Sequence, residues 1–190
     1  HVFYHNERNI DETAILDGFT VKGGNADGSI SPHNSGGAMY NFGATVNPTV
    51  TNCIFVNNFA SRSGGAISNW QSSPAVTNCK FENNSSIEYG GSFYNYDNSN
   101  LTITNCTFTR NHSEKGGVAH NNDSDHTVSN CTFTDNFAYE GGAIYNYSSN
   151  IKIRNTIIWS NTADSNGNNL FNYNQFVKPE ISYSNIQDCI

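Results

Sequence analysis

The stretch TVSNCTFTDNFAYEGGAIYN, residues 127–146, contains the two units of a repeat that fills nearly all of this 190-residue chain. Its second unit recurs as GGAMYN (36–41), GGAISN (64–69), GGSFYN (90–95) and GGVAHN (116–121), with a degenerate GNNLFN at 167–172. Its first unit recurs as TVTNCIFVNN (49–58), AVTNCKFENN (75–84), TITNCTFTRN (102–111) and KIRNTIIWSN (152–161). Successive double glycines are 25 to 28 residues apart, a period typical of repeat architectures.

Within each repeat, apolar and polar residues follow strand periodicity, as at Val128, Cys131 and Phe133. Short runs bounded by Asn, Gly and Ser predict short strands joined by tight turns. Three such strands per repeat predict one turn of a parallel β-solenoid, with equivalent residues stacked about 4.8 Å apart. The chain is therefore predicted to be all-β. We expect a single domain over residues 1–190, a single-stranded parallel β-helix of about six to seven coils with 25–28 residues in each.

Stacking places like residues in columns, and three of the predicted columns consist of asparagine. An amide both donates and accepts, so such a column can hydrogen-bond to itself and to the turn backbone. We expect a structural role for all three, which are Asn52, Asn78, Asn105, Asn130 and Asn155; Asn58, Asn84, Asn111, Asn136 and Asn161; and Asn41, Asn69, Asn95, Asn121, Asn146 and Asn172. Two further columns are predicted to point inward: Val50, Val76, Ile103, Val128 and Ile153; and Phe55, Phe81, Phe108, Phe133 and Ile158.

Four cysteines share one column, Cys53, Cys79, Cys106 and Cys131, while Cys189 stands apart. Zinc is disfavoured because the ligands of zinc clusters are typically two to four residues apart. The rung spacing lies within the Cα range of a disulfide, although parallel side chains in a packed core seldom orient correctly for one. We predict buried free thiols that act as small hydrophobic side chains, with the disulfide as the alternative.

The glycine pairs are predicted to be structural. A coil turns sharply between strands, and glycine tolerates a positive φ or a close approach of neighbouring backbone. A phosphate cradle is disfavoured because no helix and no G-x-G-x-x-G context follows the pairs.

The repeats resemble those of a known family. GGAI at 64–67 and 141–144, alternating with FxxN at 55–58 and 133–136, is similar to the chlamydial polymorphic outer-membrane proteins. LDGFTVKGGNADG at 16–28 also resembles secreted bacterial right-handed β-helix repeat proteins. The resemblance implies a right-handed helix, a bacterial origin and secretion or exposure at the cell surface. In the chlamydial case it also implies adhesion.

Composition excludes several functional classes. The net charge is −7 with only nine Lys and Arg, and these are scattered, whereas nucleic-acid binding needs a concentrated basic patch. No apolar run approaches the roughly 18 residues of a membrane-spanning helix. Because the chain opens abruptly at HVFYHNERN without a signal peptide, we interpret it as a piece of a longer, exported protein.

Two columns of aromatic residues are predicted to face outward. In GGAIYNY the alternation places Ile144 inside, and Tyr145 and Tyr147 outside. Aromatic stripes of this size stack on sugar rings or anchor a protein partner, although aromatic residues also simply favour strands. The candidate binding face comprises Tyr40, Phe42, Trp70, Tyr94, Tyr96, Tyr145, Tyr147, Phe171 and Tyr173.

Other outward features support weaker hypotheses. A Thr-x-Thr row at 49–51, 77, 102–104 and 127–129 resembles an ice-binding face, but Ala75, Lys152 and Arg154 interrupt it. Asp123 and Asp125 are a weak candidate for a Ca²⁺ site, and we otherwise expect no metal or cofactor.

Catalysis is disfavoured because the outward carboxylates, such as Glu82 and Asp135, form no convergent cluster. We therefore expect a non-enzymatic extracellular or cell-surface domain that mediates adhesion or extracellular assembly by binding a protein or a glycan. Self-association is also compatible with the open ends of a solenoid. The alternative is a pectate-lyase-like polysaccharide-active enzyme or a carbohydrate-binding module.

Overall fold

The computed structural model describes residues 1–6, 9–174 and 177–187, and in them the chain forms a parallel β-solenoid of about six turns. All paired strands are parallel, and no helix occurs in the described residues. The predicted all-β solenoid is therefore confirmed.

Four sheets run along the solenoid. Sheet 1 contains Phe3–Asn6, Met39–Phe42, Ile67–Trp70, Phe93–Tyr96, Ala119–Asn122, Ile144–Tyr147 and Leu170–Asn172. Sheet 2 contains Ile15–Asp17, Thr49–Thr51, Ala75–Thr77, Thr102–Thr104, Thr127–Ser129, Lys152–Arg154 and Glu180–Ser182. Sheet 3 contains Thr20–Lys22, Ile54–Val56, Lys80–Glu82, Thr107–Thr109, Thr132–Thr134, Ile157–Trp159 and Asn185–Ile186. Sheet 4 contains Asn25–Ala26, Phe59–Ala60, Ser85–Ser86, His112–Lys115, Phe137–Glu140 and Thr162–Asn166.

The prediction of three strands per turn is wrong, because sheet 4 supplies a fourth. Strands such as Phe59–Ala60 and Ser85–Ser86 are only two residues long and show no run of alternating apolar residues. They pair because the neighbouring coils hold them in register, so their strand character depends on the stack and not on local pattern.

The interior contains the two predicted inward columns. Val50 and Val76 are fully buried, as are Phe55, Phe81 and Phe108. The phenylalanine rings stack along the axis with centroid separations of 4.8 Å between Phe55 and Phe81 and 5.1 Å between Phe81 and Phe108. Such offset stacking adds to the stabilisation from burial itself.

In the five coils from Asn52 to Asn161, the corners between sheets 2 and 3 and between sheets 3 and 4 each consist of an exposed residue with positive φ followed by a buried hydrogen-bonding residue. At the sheet 2–3 corner these are Asn105, with φ of 54°, and Cys106; at the sheet 3–4 corner they are Arg110, also with φ of 54°, and Asn111. Asparagine visits this left-handed region more readily than most residues, which explains its repetition at the exposed position.

Hydrogen bonds connect the two buried asparagine columns throughout and the exposed column from Asn52 to Asn105. In the buried column, Asn84 Nδ2 donates to Asn111 Oδ1 at 3.1 Å and Asn111 Nδ2 donates to Asn136 Oδ1 at 3.0 Å. In the exposed column, Asn105 Nδ2 donates to Asn78 Oδ1 at 3.2 Å. The third column lies inside sheet 1 and is connected in the same way.

The cysteine column combines burial with hydrogen bonding. Cys53, Cys79, Cys106 and Cys131 are free and buried, and the N–H of Cys79 donates to Cys106 Sγ at 3.4 Å. The Cys79 thiol itself donates to the Thr77 carbonyl at 3.1 Å. These thiols are therefore more than small hydrophobic side chains, because they also satisfy backbone groups. Burial raises the pKa of the Cys53 thiol. Cys189 lies outside the described residues.

The two predicted reasons for the glycine pairs are confirmed. The first glycine has a positive φ, and the second lies close to neighbouring backbone. Gly90 has φ of +65°. A Cβ on Gly91 would lie 2.2 Å from the carbonyl oxygen of Gly117 in the next coil, so a side chain there is sterically excluded. The second glycine therefore packs against the backbone of the next coil, at Gly117 and at His112, the first residue of a sheet 4 strand.

Across the described ranges, no helix is long and apolar enough to cross a membrane.

Candidate binding groove

The two predicted aromatic columns lie on the outer face of sheet 1. Ile144 belongs to the core and Asn146 to the inner asparagine column, so Tyr145 and Tyr147 point the other way. In-register pairing continues both columns from coil to coil, as between Tyr94 and His120.

The two columns differ in exposure. Tyr147 is 41% exposed, whereas Tyr145, two residues earlier on the same face, is only 2% exposed. Tyr40 and His120 of the same column are also buried. The residues just before the glycine pairs form a wall over the nearer column: the Tyr89 ring contacts His120, and Lys115 lies over the Tyr145 ring.

Sheet 1 and this wall enclose a groove with a volume of about 510 Å³. We call it the aromatic groove. Its lining residues are Ser31, Ser35, Tyr40, Arg62, Ser63, Ser68, Trp70, Tyr89, Tyr94, Tyr96, Lys115, His120, Asn122, Tyr145, Tyr147 and Tyr173.

The wall residues lie at or next to the position that directly precedes each double glycine of the repeat. Tyr89 and Lys115 directly precede double glycines, and bridges connect Ser63 to Tyr89 and Tyr89 to Lys115. Arg62 lies next to Ser63. These residues were not predicted from the sequence, because they lie between the two repeat units in a segment to which no strand was assigned. The column of residues immediately before the pairs was the signal that could have found them.

Ring contacts pack the groove floor. The His120 and Tyr145 rings stack nearly parallel at 4.8 Å, and Tyr89 lies 4.8 Å from His120. In the outer column, Trp70 and Tyr96 meet edge to face at 5.1 Å, and Tyr147 stacks on Tyr173 at 5.3 Å. The floor is therefore a pre-ordered aromatic surface.

Of the predicted aromatic residues, Phe42 and Phe171 do not line the groove. Phe42 packs edge to face on Trp70 at 5.5 Å, and Phe171 lies 5.3 Å from Tyr145. Both extend the ring contacts of residues that do line it.

The charged side chains that line the groove are basic. Arg62 and Lys115 are the two charged side chains among its described lining residues. Each forms an ion pair with a glutamate beside the groove: Arg62 Nε lies 3.5 Å from Glu88 Oε2, and Lys115 Nζ lies 3.7 Å from Glu140 Oε2. Lys115 Nζ also lies 5.4 Å from the Tyr145 ring centroid.

Burial shifts the pKa values of His120, Tyr94 and Tyr145 in the direction that favours their neutral forms. Burial, together with the charge of Lys115, lowers the pKa of His120 to about 3. Burial raises the pKa of Tyr94 to about 12 and also raises the pKa of Tyr145. At neutral pH these side chains therefore act as hydrogen-bonding aromatic rings and not as proton donors or acceptors of ordinary strength.

The predicted Ca²⁺ candidates lie in the turn after sheet 1. Asp123 is exposed with φ of 49°, while the Asp125 carboxylate accepts the N–H of Asn150 at 2.6 Å. Among the described residues, no three His, Cys, Asp or Glu side chains are placed to hold a metal ion.

The remaining outward carboxylates lie away from the groove. Glu82 projects from sheet 3, where it pairs with Lys80 and Arg110, and the hydrogen bond from Lys80 lowers the pKa of Glu82. Asp135 is an exposed left-handed residue at a sheet 3–4 corner. The threonine row lies on sheet 2, with Ala75 paired between Thr49 and Thr102.

Comparison with known proteins identifies the fold family. The family model described as right handed beta helix region matches residues 10–158 and, in a second alignment, residues 74–189. No curated protein and no solved structure matches the chain.

Proposed function

Since the chain belongs to the right-handed β-helix family, whose sheets present continuous outer faces along the axis, we propose that it is a non-enzymatic binding domain that holds a glycan chain in the aromatic groove. We place this function at a bacterial cell surface or outside the cell, in adhesion or extracellular assembly. The observation that carries the proposal is a pre-ordered groove of about 510 Å³ lined by seven tyrosines and one tryptophan.

The shape of the groove supports an extended ligand. Its lining residues come from successive coils, from Tyr40 to Tyr173, so aromatic and hydroxyl groups repeat along the axis. A polymer of rings that lies along the axis meets a similar surface at each step. Sugar rings combine apolar faces with hydroxyl groups, which matches the rings and phenolic hydroxyl groups of the lining tyrosines.

The chemistry of the groove supports binding without hydrolysis. Glycosidases use a pair of Asp or Glu side chains beside the scissile bond. The described lining residues include neither. Glu88 and Glu140, which lie beside the groove, are paired with Arg62 and Lys115.

Substitution of the accessible rings tests the proposal. We expect the triple variant Trp70→Ser, Tyr96→Ser and Tyr147→Ser to bind soluble polysaccharide at least about tenfold more weakly, because aromatic anchors dominate binding interfaces. Affinity electrophoresis or isothermal titration against a panel of polysaccharides measures this. A matched control, Trp159→Ser and Tyr183→Ser, removes exposed aromatic residues outside the groove. Equal affinities of the two variants would reject the proposal, provided that circular dichroism shows both folded.

A second candidate function is a polysaccharide lyase, favoured by the basic side chains Arg62 and Lys115 beside Tyr94 and His120 in one groove. Incubation with acidic polysaccharides, with absorbance recorded for unsaturated products, separates this candidate from a binding domain.

A further inference from the structure

We propose that the cysteine column is a binding site for a soft metal ion, Cu(I), held between the thiolates of neighbouring coils. This site is separate from the aromatic groove and from the proposed glycan binding. The fold does not require sulfur at this position. In the next two coils Thr156 and Ser184 occupy the column, and their hydroxyl groups accept the backbone N–H that sulfur accepts elsewhere. Four consecutive coils nevertheless carry free, buried cysteine.

The spacing of the column suits linear coordination by two sulfurs. The strands on either side of each cysteine pair in register with the next coil, as Thr77 does with Thr104 and Lys80 with Thr107. Equivalent sulfurs are therefore about one rung, or about 4.8 Å, apart. Metal–thiolate bonds are about 2.3 Å long, so two of them in a straight line span about 4.6 Å. One ion between two neighbouring sulfurs can therefore form both bonds without separating the strands.

The thiol protons are dispensable for the backbone. The Cys79 thiol donates to the Thr77 carbonyl at 3.1 Å, but that carbonyl also accepts the N–H of Asn52 at 3.1 Å. The carbonyl that accepts the next thiol, that of Thr104, likewise accepts the N–H of Asn78 at 3.0 Å. Loss of the thiol protons therefore leaves neither carbonyl without a hydrogen bond.

Backbone N–H groups stabilise the charge of the loaded site. Cu(I) replaces the protons of two thiols, both protons leave to solvent, and the resulting bis-thiolate centre carries a single negative charge. The N–H groups of Cys53, Cys79 and Cys106 each donate to the sulfur of the following coil at 3.4 Å. Hydrogen bonds to the charged form of a group favour that form.

The number of ligands favours Cu(I) over zinc. Thiolates are soft ligands that suit Cu(I), whereas structural zinc sites use four protein ligands. Within the described ranges, no three His, Cys, Asp or Glu side chains are placed around one ion. A pair of sulfurs in line therefore meets the requirement of a two-coordinate soft ion and not that of zinc.

The experiment loads the metal during folding, because the column cysteines are only 1–3% exposed in the folded chain. The full chain is refolded from urea without oxygen, with copper kept as Cu(I) by ascorbate, and copper is measured by mass spectrometry after a chelator and a desalting column remove loosely bound ions. Cys189→Ser is present in every sample. Four cysteines form two neighbouring pairs, so we expect about two ions per chain. The thermal denaturation midpoint should rise above that of the metal-free chain. Zinc offered in the same way should not be retained.

Two double variants keep the same number of column thiols and differ in their spacing. Cys106→Ser with Cys131→Ser leaves Cys53 and Cys79 as neighbours and should retain about one ion. Cys79→Ser with Cys106→Ser leaves Cys53 and Cys131 three rungs, about 14 Å, apart and should retain none. Serine supplies a hydroxyl group, as Thr156 does in the same column, so both variants should fold, which circular dichroism checks.

Three results would overturn the proposal. Equal copper in the two double variants would show that binding does not need neighbouring sulfurs. Retention of zinc to the same extent as copper would rule out selection by linear coordination. Absence of copper from the refolded chain with all four column cysteines, a measurement that depends on no column variant, would leave the column a purely structural part of the core. Glycan binding is tested separately by the aromatic triple variant, and none of these results bears on it.

Discussion

Two neighbouring corners of each coil have the same left-handed turn. Asparagine is constant at the exposed position of one corner and at the buried position of the other. At the sheet 2–3 corner the exposed left-handed position is asparagine in five successive coils, while the buried position changes from Cys131 to Thr156. At the sheet 3–4 corner the buried position is asparagine in five successive coils, while the exposed position varies and includes Arg110, Asp135 and Ser160.

The hydrogen bonds explain the difference. At the sheet 2–3 corner one side-chain atom accepts a backbone N–H and donates to a carbonyl of its own coil, and Thr156 Oγ1 does both, as the thiols do. At the sheet 3–4 corner Asn111 accepts the N–H of Asn84 at 3.0 Å and donates to the Phe81 carbonyl at 3.0 Å. Asn111 also accepts from the Asn84 amide and donates to the Asn136 amide, and only a side chain with separate donor and acceptor atoms makes all four bonds. Residue identity is therefore constrained where burial and hydrogen bonding coincide.

Removal of one buried amide should have the largest effect. Asn111→Ala leaves the N–H of Asn84 and the carbonyl of Phe81 buried without partners, so we expect the free energy of unfolding to fall by about 3 kcal/mol. Asn105→Ala, at the exposed position, should cost about 1 kcal/mol because alanine must adopt the left-handed conformation. Urea denaturation monitored by circular dichroism measures both. Equal losses of unfolding free energy in the two variants would contradict the difference between the buried and the exposed position.

Buried histidines should make the stability of the fold depend on pH. His126 is buried, its Nδ1 accepts the N–H of Leu101 at 3.0 Å, and burial lowers its pKa to about 3. Because the unfolded chain binds protons below about pH 6.5 and the folded chain does not, stability is complete above that pH and is lost as the pH falls. His126 and the similarly shifted His120 should each cost about 2 kcal/mol at pH 5.

The test records denaturation midpoints between pH 7.5 and pH 4.5. His126→Leu should remove about half of this pH dependence, whatever its effect at neutral pH, whereas His112→Leu, at an exposed position, should leave the slope unchanged. A slope that does not respond to His126→Leu would show that the buried imidazole is protonated in the folded chain.

The smallest effect should come from a glycine at the exposed corner. Asn105→Gly keeps the left-handed backbone, so we expect the free energy of unfolding to change by less than about 0.5 kcal/mol. Thermal denaturation beside Asn105→Ala measures the difference. A loss as large as that of Asn111→Ala would mean that the exposed amide contacts, such as the 3.2 Å bond to Asn78, stabilise the stack more than exposure suggests.

Periodicity predicted the solenoid, the inward columns and the asparagine columns because each depends on residues repeated at one spacing. It did not predict sheet 4. Ser85–Ser86 becomes a strand through pairing with the coils on either side, and two serines carry no local strand signal. It also predicted which face Tyr145 would point to, but not that this face would be covered.

The sequence by itself determined the stacking axis, the period and the orientation of side chains on sheet 1, since strand alternation and in-register repeats follow from residue order alone. Only the tertiary structure decided that the face is a groove. The residues just before the glycine pairs contact the nearer aromatic column, as Lys115 does over the Tyr145 ring, so Tyr145 is buried while Tyr147 is exposed. Arg62 and Lys115 lie at the aromatic columns because residues far apart in the sequence come into contact there. The repeat period contains no information about these contacts.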